Sequence, residues 1–231
     1  MKFEVTTEID RDRFRAKLLQ YTRKAYNLLP TLEHPNILDI GCGTGVVTLE
    51  LARLSNDRVI GVDIDKAAIE KLRRKIKGAG LRDRVKAVEC SMYDIEFADG
   101  VFDIIWTEGA IHVIGFTEGL RRWRNLIKSE GFFVIHDRIA GMQENERAIS
   151  ACGYTLINRF IVTKEAWWDD YYRPLENMIE GLRPKYQNDA AALAFLDKEQ
   201  VEVEEFKNNP AYHGSVFDVM QKQENEIKHD R

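Results

Sequence analysis

Asn36-Ile37-Leu38-Asp39-Ile40-Gly41-Cys42-Gly43-Thr44-Gly45 is the stretch whose reading decides the fold. A short apolar run carries an acid near its end, and three glycines follow at alternate positions. The run predicts a buried parallel strand, and the glycines a tight turn whose backbone comes close to a ligand. Glycine suits that turn because it takes positive φ and has no Cβ to block the approach.

Downstream, strand patterns recur at 58–62, 85–89, 101–106 and 132–136, with helical patterns at 46–54, 67–77 and 116–127 between them. Ser129-Glu130-Gly131 reads as a turn. This alternation predicts βαβ units and a parallel sheet, with right-handed crossovers that set the strands' C-terminal ends along one edge. Upstream, Phe14, Leu18, Tyr21, Ala25 and Leu29 recur at helical spacing, so 10–29 reads as one amphipathic helix capped by Asp10 and stopped by Pro30. Beyond Ile139 the rhythm changes. A helix over 143–152, a strand over 154–161, a helical block over 164–208 and a last strand over 215–220 precede a polar tail, 221–231. Pro174 should break or restart the helix in that block.

At 231 residues and 26.8 kDa the chain fits one domain spanning 1–231, with 164–208 as a lid inserted into it. The net charge of −4 and pI near 5.8 argue against a nucleic-acid footprint. Arg121, Arg122, Arg124 and Lys128 cluster at helical spacing and read as a solvated face. Cys42, Cys90 and Cys152 are odd in number and far apart, giving neither a disulfide framework nor a metal-ligand pattern. With no apolar signal core and no run long enough to span a membrane, a cytoplasmic protein is expected.

Two details narrow the glycine turn. Val46 stands where a dinucleotide fingerprint would place its third glycine. Asp39, at the mouth of the sheet, would repel a pyrophosphate but suits a cationic amine. Asp63 closes the next strand, where a carboxylate can accept both ribose hydroxyls of an adenosine.

The glycine stretch together with Val62-Asp63-Ile64 resembles the S-adenosylmethionine-dependent methyltransferases of the Rossmann-like class, over 36–137. The resemblance implies an α/β fold. It would have a seven-stranded, mostly parallel sheet with helices on both faces, an N-terminal helix, and the helical lid between strands six and seven. It implies S-adenosylmethionine as cofactor. Asp39 and the backbone of Gly41, Cys42, Gly43 and Gly45 would hold the methionine part and Asp63 the ribose, with Ile64 a further cofactor contact. Ser91 and Met92 stand near the adenine, in Cys90-Ser91-Met92 where the family often has Gly-Asp-Ala, and Thr107 ends strand four on the same edge. A nearer likeness runs through Glu108-Gly109-Ala110-Ile111-His112 to Gly115-Phe116. It is similar to a branch beside the quinone-biosynthesis methyltransferases, sharing Tyr21-Thr22-Arg23 and the segment from Ala166-Trp167-Trp168 to Tyr171-Tyr172.

Glu108, His112 and His136 fall on the ligand edge and are the candidate catalytic groups, set against plain hydrogen-bonded or packed roles. Tyr21, Trp167, Trp168, Tyr171 and Tyr172 are candidate substrate contacts, the last four as an aromatic wall or as the lid's own core. Tyr21, Arg23 and Tyr26 are candidates to cap the cofactor. No Asn-Pro-Pro-Tyr follows strand four and no cysteine follows a proline, which argues against the nucleic-acid methylating classes. A small-molecule acceptor is expected, with no metal, nucleic acid or membrane partner. A methyltransferase acting on protein or RNA, and a non-catalytic nucleotide-binding module, are the alternatives.

Overall fold

The computed structural model describes residues 2–140, 142–209 and 214–224. The chain opens with α1 (Lys2–Glu8), α2 (Arg11–Lys17) and α3 (Leu19–Tyr26). Asp10 caps α2 as expected, accepting from the Asp12 amide at 3.3 Å. The single helix expected over 10–29 is instead two, because Leu18 turns its amide back to Arg15 O at 3.1 Å. The break lets Arg15 and Thr22, on either side of it, reach one carboxylate, that of Glu108.

The next elements are β1 (Ile37–Ile40), α4 (Val46–Ser55), β2 (Val59–Asp63), α5 (Lys66–Gly78), β3 (Val85–Glu89) and β4 (Phe102–Glu108). After them come α6 (Ile111–Ile114), α7 (Phe116–Trp123), β5 (Ile127–Arg138), α8 (Met142–Ala151) and β6 (Tyr154–Thr163). The sheet runs β3-β2-β1-β4-β5, all parallel, and is completed by β7 (Gly214–Lys222), antiparallel between β5 and β6. Alternate side chains face opposite layers, as strand geometry requires. Ile37, Ile104, Trp106 and Val134 pack on Leu49, Ile69 and Leu72 of α4 and α5. Leu38, Ile105, Phe133 and Ile135 meet Leu120, Trp123 and Ile149 of α7 and α8.

Two other expectations need correction. The helix expected over 116–127 ends at Trp123, and a single 3₁₀ turn, Arg124–Leu126, leads into β5. Ser129-Glu130-Gly131 is not a turn between elements but lies within β5. Glu130 takes φ 58° there, and the β4–β5 register shifts between Phe102 and Ile104, so the local signal marks a bulge. Of the expected tail, Gln221 and Lys222 belong to β7, and 225–231 lie outside the described residues.

Between β6 and β7 the chain forms α9 (Lys164–Trp167), a widened turn at Trp168–Tyr172, α10 (Arg173–Leu182) and α11 (Ala190–Asn208). Pro174 sits in the first turn of α10, where its missing N–H costs least, and the widened turn precedes it. Asp189 caps α11 through the amides of Ala191 and Ala192 at 3.1 and 3.0 Å. Tyr171, Leu175, Ile179, Leu196, Val203 and Phe206 bury themselves against Val5, Phe14 and Leu18. The N-terminal helices and this segment therefore form a second core of their own beside the sheet. Among the described residues no helix is long and apolar enough to cross a membrane.

Candidate functional site

The glycine turn has one closed side and one open side. A Cβ on Gly41 would stand 2.3 Å from Ala110 Cβ, and one on Gly45 2.1 Å from Leu72 Cδ1. Gly43, at φ 50°, has nothing within 4 Å of that position, so its backbone faces free space. The Gly43 amide donates to Asp63 Oδ2 at 2.7 Å, and Asp65 N to Oδ1 at 2.9 Å. The turn and the acid that ends β2 are thus one unit.

Three adjoining cavities open around this unit. The first, about 320 Å³, is lined by Gly41, Asp63, Ile64, Ser91, Met92 and Tyr93, with Gly109, Ala110 and Val113 opposite. Ile64, Tyr93 and Val113 are 70%, 48% and 58% exposed. Large apolar side chains left open along the rim of one cleft mark a place where a flat ligand can lie. The second cavity, about 280 Å³, lies between α2 and the glycine turn and is lined by Arg11, Asp12, Arg15, Asp39, Cys42, Gly43, Glu108 and Tyr171. The third, about 240 Å³, is walled by Arg15, Glu108, Gly109, His112, His136, Asp137, Trp167, Tyr172, Phe206 and Ser215. Gly41 borders the first and second, Gly109 the first and third, and Arg15 and Glu108 the second and third.

Asp39 is buried at the floor of the second cavity. Thr48 Oγ1 donates to its Oδ2 at 2.6 Å, and no other donor reaches this carboxylate among the described residues. Burial pushes Asp39 up to about 7, with Glu108 and Asp63 acting in the same direction and the Thr48 bond opposing. Burial also pushes the Cys42 thiol far up, which removes it as a nucleophile. Helix α2 is bolted over this cavity: Asp12 accepts from Thr44 Oγ1 and pairs with Lys71 and Lys75 at 2.6 and 2.8 Å.

Glu108 is the opposite case. Its carboxylate takes Arg15, Thr22 Oγ1 at 2.9 Å, Trp106 Nε1 at 2.8 Å and His136 Nδ1 at 3.3 Å. Burial alone would raise it, yet Arg15, His136 and Trp106 hold it down at about 2. The hydrogen bonds also fix the state of His136. Trp167 Nε1 can only donate, so Ser215 Oγ accepts from it at 2.8 Å and passes its own proton toward His136 Nε2 at 2.6 Å. His136 Nδ1–H then faces Glu108. The ring is buried, stacked on Phe217 at 4.0 Å, and burial lowers its pKa.

His112 stands at the lip of the third cavity with its side chain 40% exposed. Its Nδ1 lies 3.0 Å from Asp137 Oδ2.

Most sequence-predicted residues converge on these cavities, and the exceptions have clear causes. Gly45 packs on Leu72 behind the turn. Thr107 is buried with its hydroxyl enclosed in protein rather than in the cleft. Tyr21 packs partly buried between the two cores. Trp168 stacks on Phe206 at 6.3 Å and borders a groove with Lys164 and Lys207, away from the cleft. Tyr171 belongs to the second cavity, where its hydroxyl meets Arg11 at 3.1 Å. Arg23 pairs with Glu50, and Tyr26 packs on Trp106, so neither caps the cleft. The caps are Arg11, Asp12 and Arg15. Only the i, i+4 spacing of Arg11 and Arg15 beside the Phe14–Leu18 stripe hinted at them. Tyr93, Asp137 and Ser215 also escaped the sequence reading.

Residues 37–131, less than half of the chain, match the family model described as "Methyltransferase domain". The "Methyltransferase GfsG" of Streptomyces halstedii is 29% identical over 117 residues, covering 50% of this chain and 42% of that protein. The chain spans less than half the length of the curated relatives it matches first. The crystal structure of the [4+2]-cyclase SpnF superposes with TM-score 0.71 at 15% identity, covering 89% of this chain and 82% of that one. The Haemonchus contortus phosphoethanolamine N-methyltransferase 2, in complex with S-adenosyl-L-methionine, gives the same TM-score at 15% identity, covering 89% and 52%. Residues 37–131 therefore match a methyltransferase domain, and the chain has the Rossmann-like fold of these structures.

Proposed function

We propose that the protein is an S-adenosylmethionine-dependent methyltransferase acting on a small-molecule acceptor. The observation that carries this reading is Asp39, a buried carboxylate with a single donor among the described residues, set behind an open glycine turn in a cavity whose two arginines, Arg11 and Arg15, pair with Glu199 and Glu108 instead. The residues present fit the cofactor. Asp39 would take the ammonium of the methionine part, Arg11 and Arg15 stand on the same cavity for its carboxylate, and Asp63 would hold the ribose. Ile64, Tyr93 and Val113 would cover the adenine, with Ser91 and Met92 at its edge. When bound, the cofactor supplies an activated methyl group on a sulfonium. The protein's share is alignment and exclusion of water, which in favourable cases is worth about 7–11 kcal/mol of barrier.

The third cavity would hold the acceptor. The helical segment 164–208 acts as its lid, with Trp167, Tyr172 and Phe206 as an apolar wall. A cleft of about 240 Å³ favours a small molecule over a folded macromolecule. The likeness to the branch beside the quinone-biosynthesis methyltransferases, carried by 108–116, Tyr21-Thr22-Arg23 and 166–172, names no acceptor. The test is transfer of labelled methyl into separated metabolite, protein and RNA fractions of a cell extract. Label is expected in the metabolite fraction, and label confined to protein or RNA would overturn the small-molecule reading.

The Asp39 carboxylate gives this reading a pH dependence. A cation binds the ionised form, so affinity is expected to fall as pH drops below about 7, approaching about tenfold per pH unit well below it. Calorimetric titration with S-adenosylhomocysteine, which keeps the ammonium, at pH 8 and pH 5.5 measures this. Equal affinities would remove Asp39 from the ammonium site.

A further inference from the structure

We infer that His112 is the general base of the transfer and Asp137 its positioning residue, and that the acceptor presents a hydroxyl group. The inference rests on the methyltransferase reading above and assigns the proton that such an acceptor must lose.

The third cavity has few groups able to receive a proton. Arg15 and Arg138 are donors only. Glu108 is occupied by four donors, and a carboxylate held near 2 is a poor base at neutral pH. His136 has Nδ1 engaged by Glu108 and Nε2 by Ser215, and its ring is closed in. It fixes Trp167 through Ser215 and shapes the cavity. His112 differs on every count. An ionised carboxylate accepts only, so Nδ1–H points at Asp137 and the neutral ring keeps its lone pair on Nε2. No hydrogen bond engages that Nε2 among the described residues.

Asp137 is itself held still. Its Oδ2 accepts the His112 amide at 3.1 Å and its Oδ1 the Arg138 amide at 2.7 Å, which ties α6 to the end of β5. A histidine on a cavity wall, with one ring nitrogen fixed by a carboxylate and the other without a hydrogen bond among the described residues, is an arrangement that general-base catalysis can use. The position agrees. His112 lines the acceptor cavity, while Val113 on the same short helix and Ala110 just before it line the adenine–ribose cavity. The 40% exposure of the side chain gives the proton a way out.

The hydroxyl assignment follows from what such a base adds. A neutral amine attacks with its lone pair and sheds its proton afterwards, whereas a hydroxyl gains most from losing its proton as it attacks. The hydroxyl proton passes to His112 Nε2 while an oxygen lone pair forms the bond to the methyl carbon. The carbon–sulfur bond breaks with its electron pair kept by sulfur, and the imidazolium returns the proton to solvent.

The test combines three measurements on the full chain. In nitrogen-15 spectra of histidine-labelled protein, neutral His112 is expected as the Nδ1–H tautomer, with Asp137→Asn moving it toward Nε2–H. An Nε2–H tautomer in the wild type overturns the proposal. His112→Gln is expected to keep S-adenosylhomocysteine affinity within about threefold while slowing single-turnover methyl transfer on the order of 10²–10⁴-fold. A rate within threefold of wild type overturns it. The labelled product of the wild type is expected to be a methyl ether, releasing labelled methyl iodide on hydriodic acid cleavage, and label retained as N-methyl or C-methyl overturns the hydroxyl assignment. Failure of the wild type to bind S-adenosylhomocysteine or transfer any label would instead strike the methyltransferase reading itself.

Discussion

Replacing Glu108 with alanine is expected to lower the thermal midpoint by about 6–12 °C. The substitution strips a buried carboxylate from Arg15, Thr22, Trp106 and His136 at once. Removing one partner of a buried ion pair costs about 3–5 kcal/mol. Arg15 keeps 23% of its side chain exposed and can turn to water, so the lower end, about 3 kcal/mol, applies. At about 2–4 °C per kcal/mol for a chain of this size, the midpoint shift follows. A shift below 3 °C would mean that Glu108 does not hold α2, α3 and β4 together. The same group sets an acid limit. Its folded value near 2 lies below the unfolded 4.5, so its contribution is fully present above pH 4.5 and is lost as pH falls toward 2. His136, lowered by burial from 6.5, adds a loss that begins as pH falls through 6.5. Stability should therefore decline in two stages on acidification, and Glu108→Ala should flatten the lower one.

Asp63→Ala is expected to weaken cofactor binding by about 3 kcal/mol, on the order of 100-fold in Kd, with little change in thermal midpoint. Two ribose hydroxyls on one carboxylate would make two charge-assisted bonds of about 1.5–3 kcal/mol each. The loss is compounded because Asp63 also anchors the Gly43 amide, and with it the open side of the turn. Asp63→Asn separates these effects: it retains one carbonyl oxygen for Gly43 but loses the charge, so it should fall between wild type and alanine. Affinity unchanged in both variants would move the ribose contact elsewhere.

Strands and turns were legible where a single periodicity decided them. The buried run into Gly41-Cys42-Gly43-Thr44-Gly45 and the acid at Asp63 could be placed because period, glycine and charge all pointed the same way. Ser129-Glu130-Gly131 misled because a bulge and a turn share the same local chemistry, and only the pairing of β4 with β5 distinguishes them. The break at Leu18 was invisible for a different reason: the apolar stripe continues through Phe14 and Leu18, and the break lies in the backbone, where Leu18 bonds back to Arg15 O. The acceptor side was half legible. Glu108 and His136, in strands, and His112, shortly after one, could be placed on one edge, but their partners, such as Asp137 and Ser215, are brought near only by the folded sheet. The spacing of Trp168, Tyr172, Leu175, Ile179 and Leu182 indicated a helical face, yet the aromatic cluster from Trp167 to Tyr172 could not be divided from sequence between cavity wall and segment core.

Whether the cleft behind Asp39 and the glycine turn holds S-adenosylmethionine decides whether the protein can act as a methyltransferase. Isothermal titration of the full chain with S-adenosylmethionine, with S-adenosylhomocysteine and with NAD measures this. Saturable one-to-one binding of the first two, weakened by Asp63→Ala, with no response to NAD, is the predicted result. Binding of NAD with no response to either sulfur compound would contradict the account.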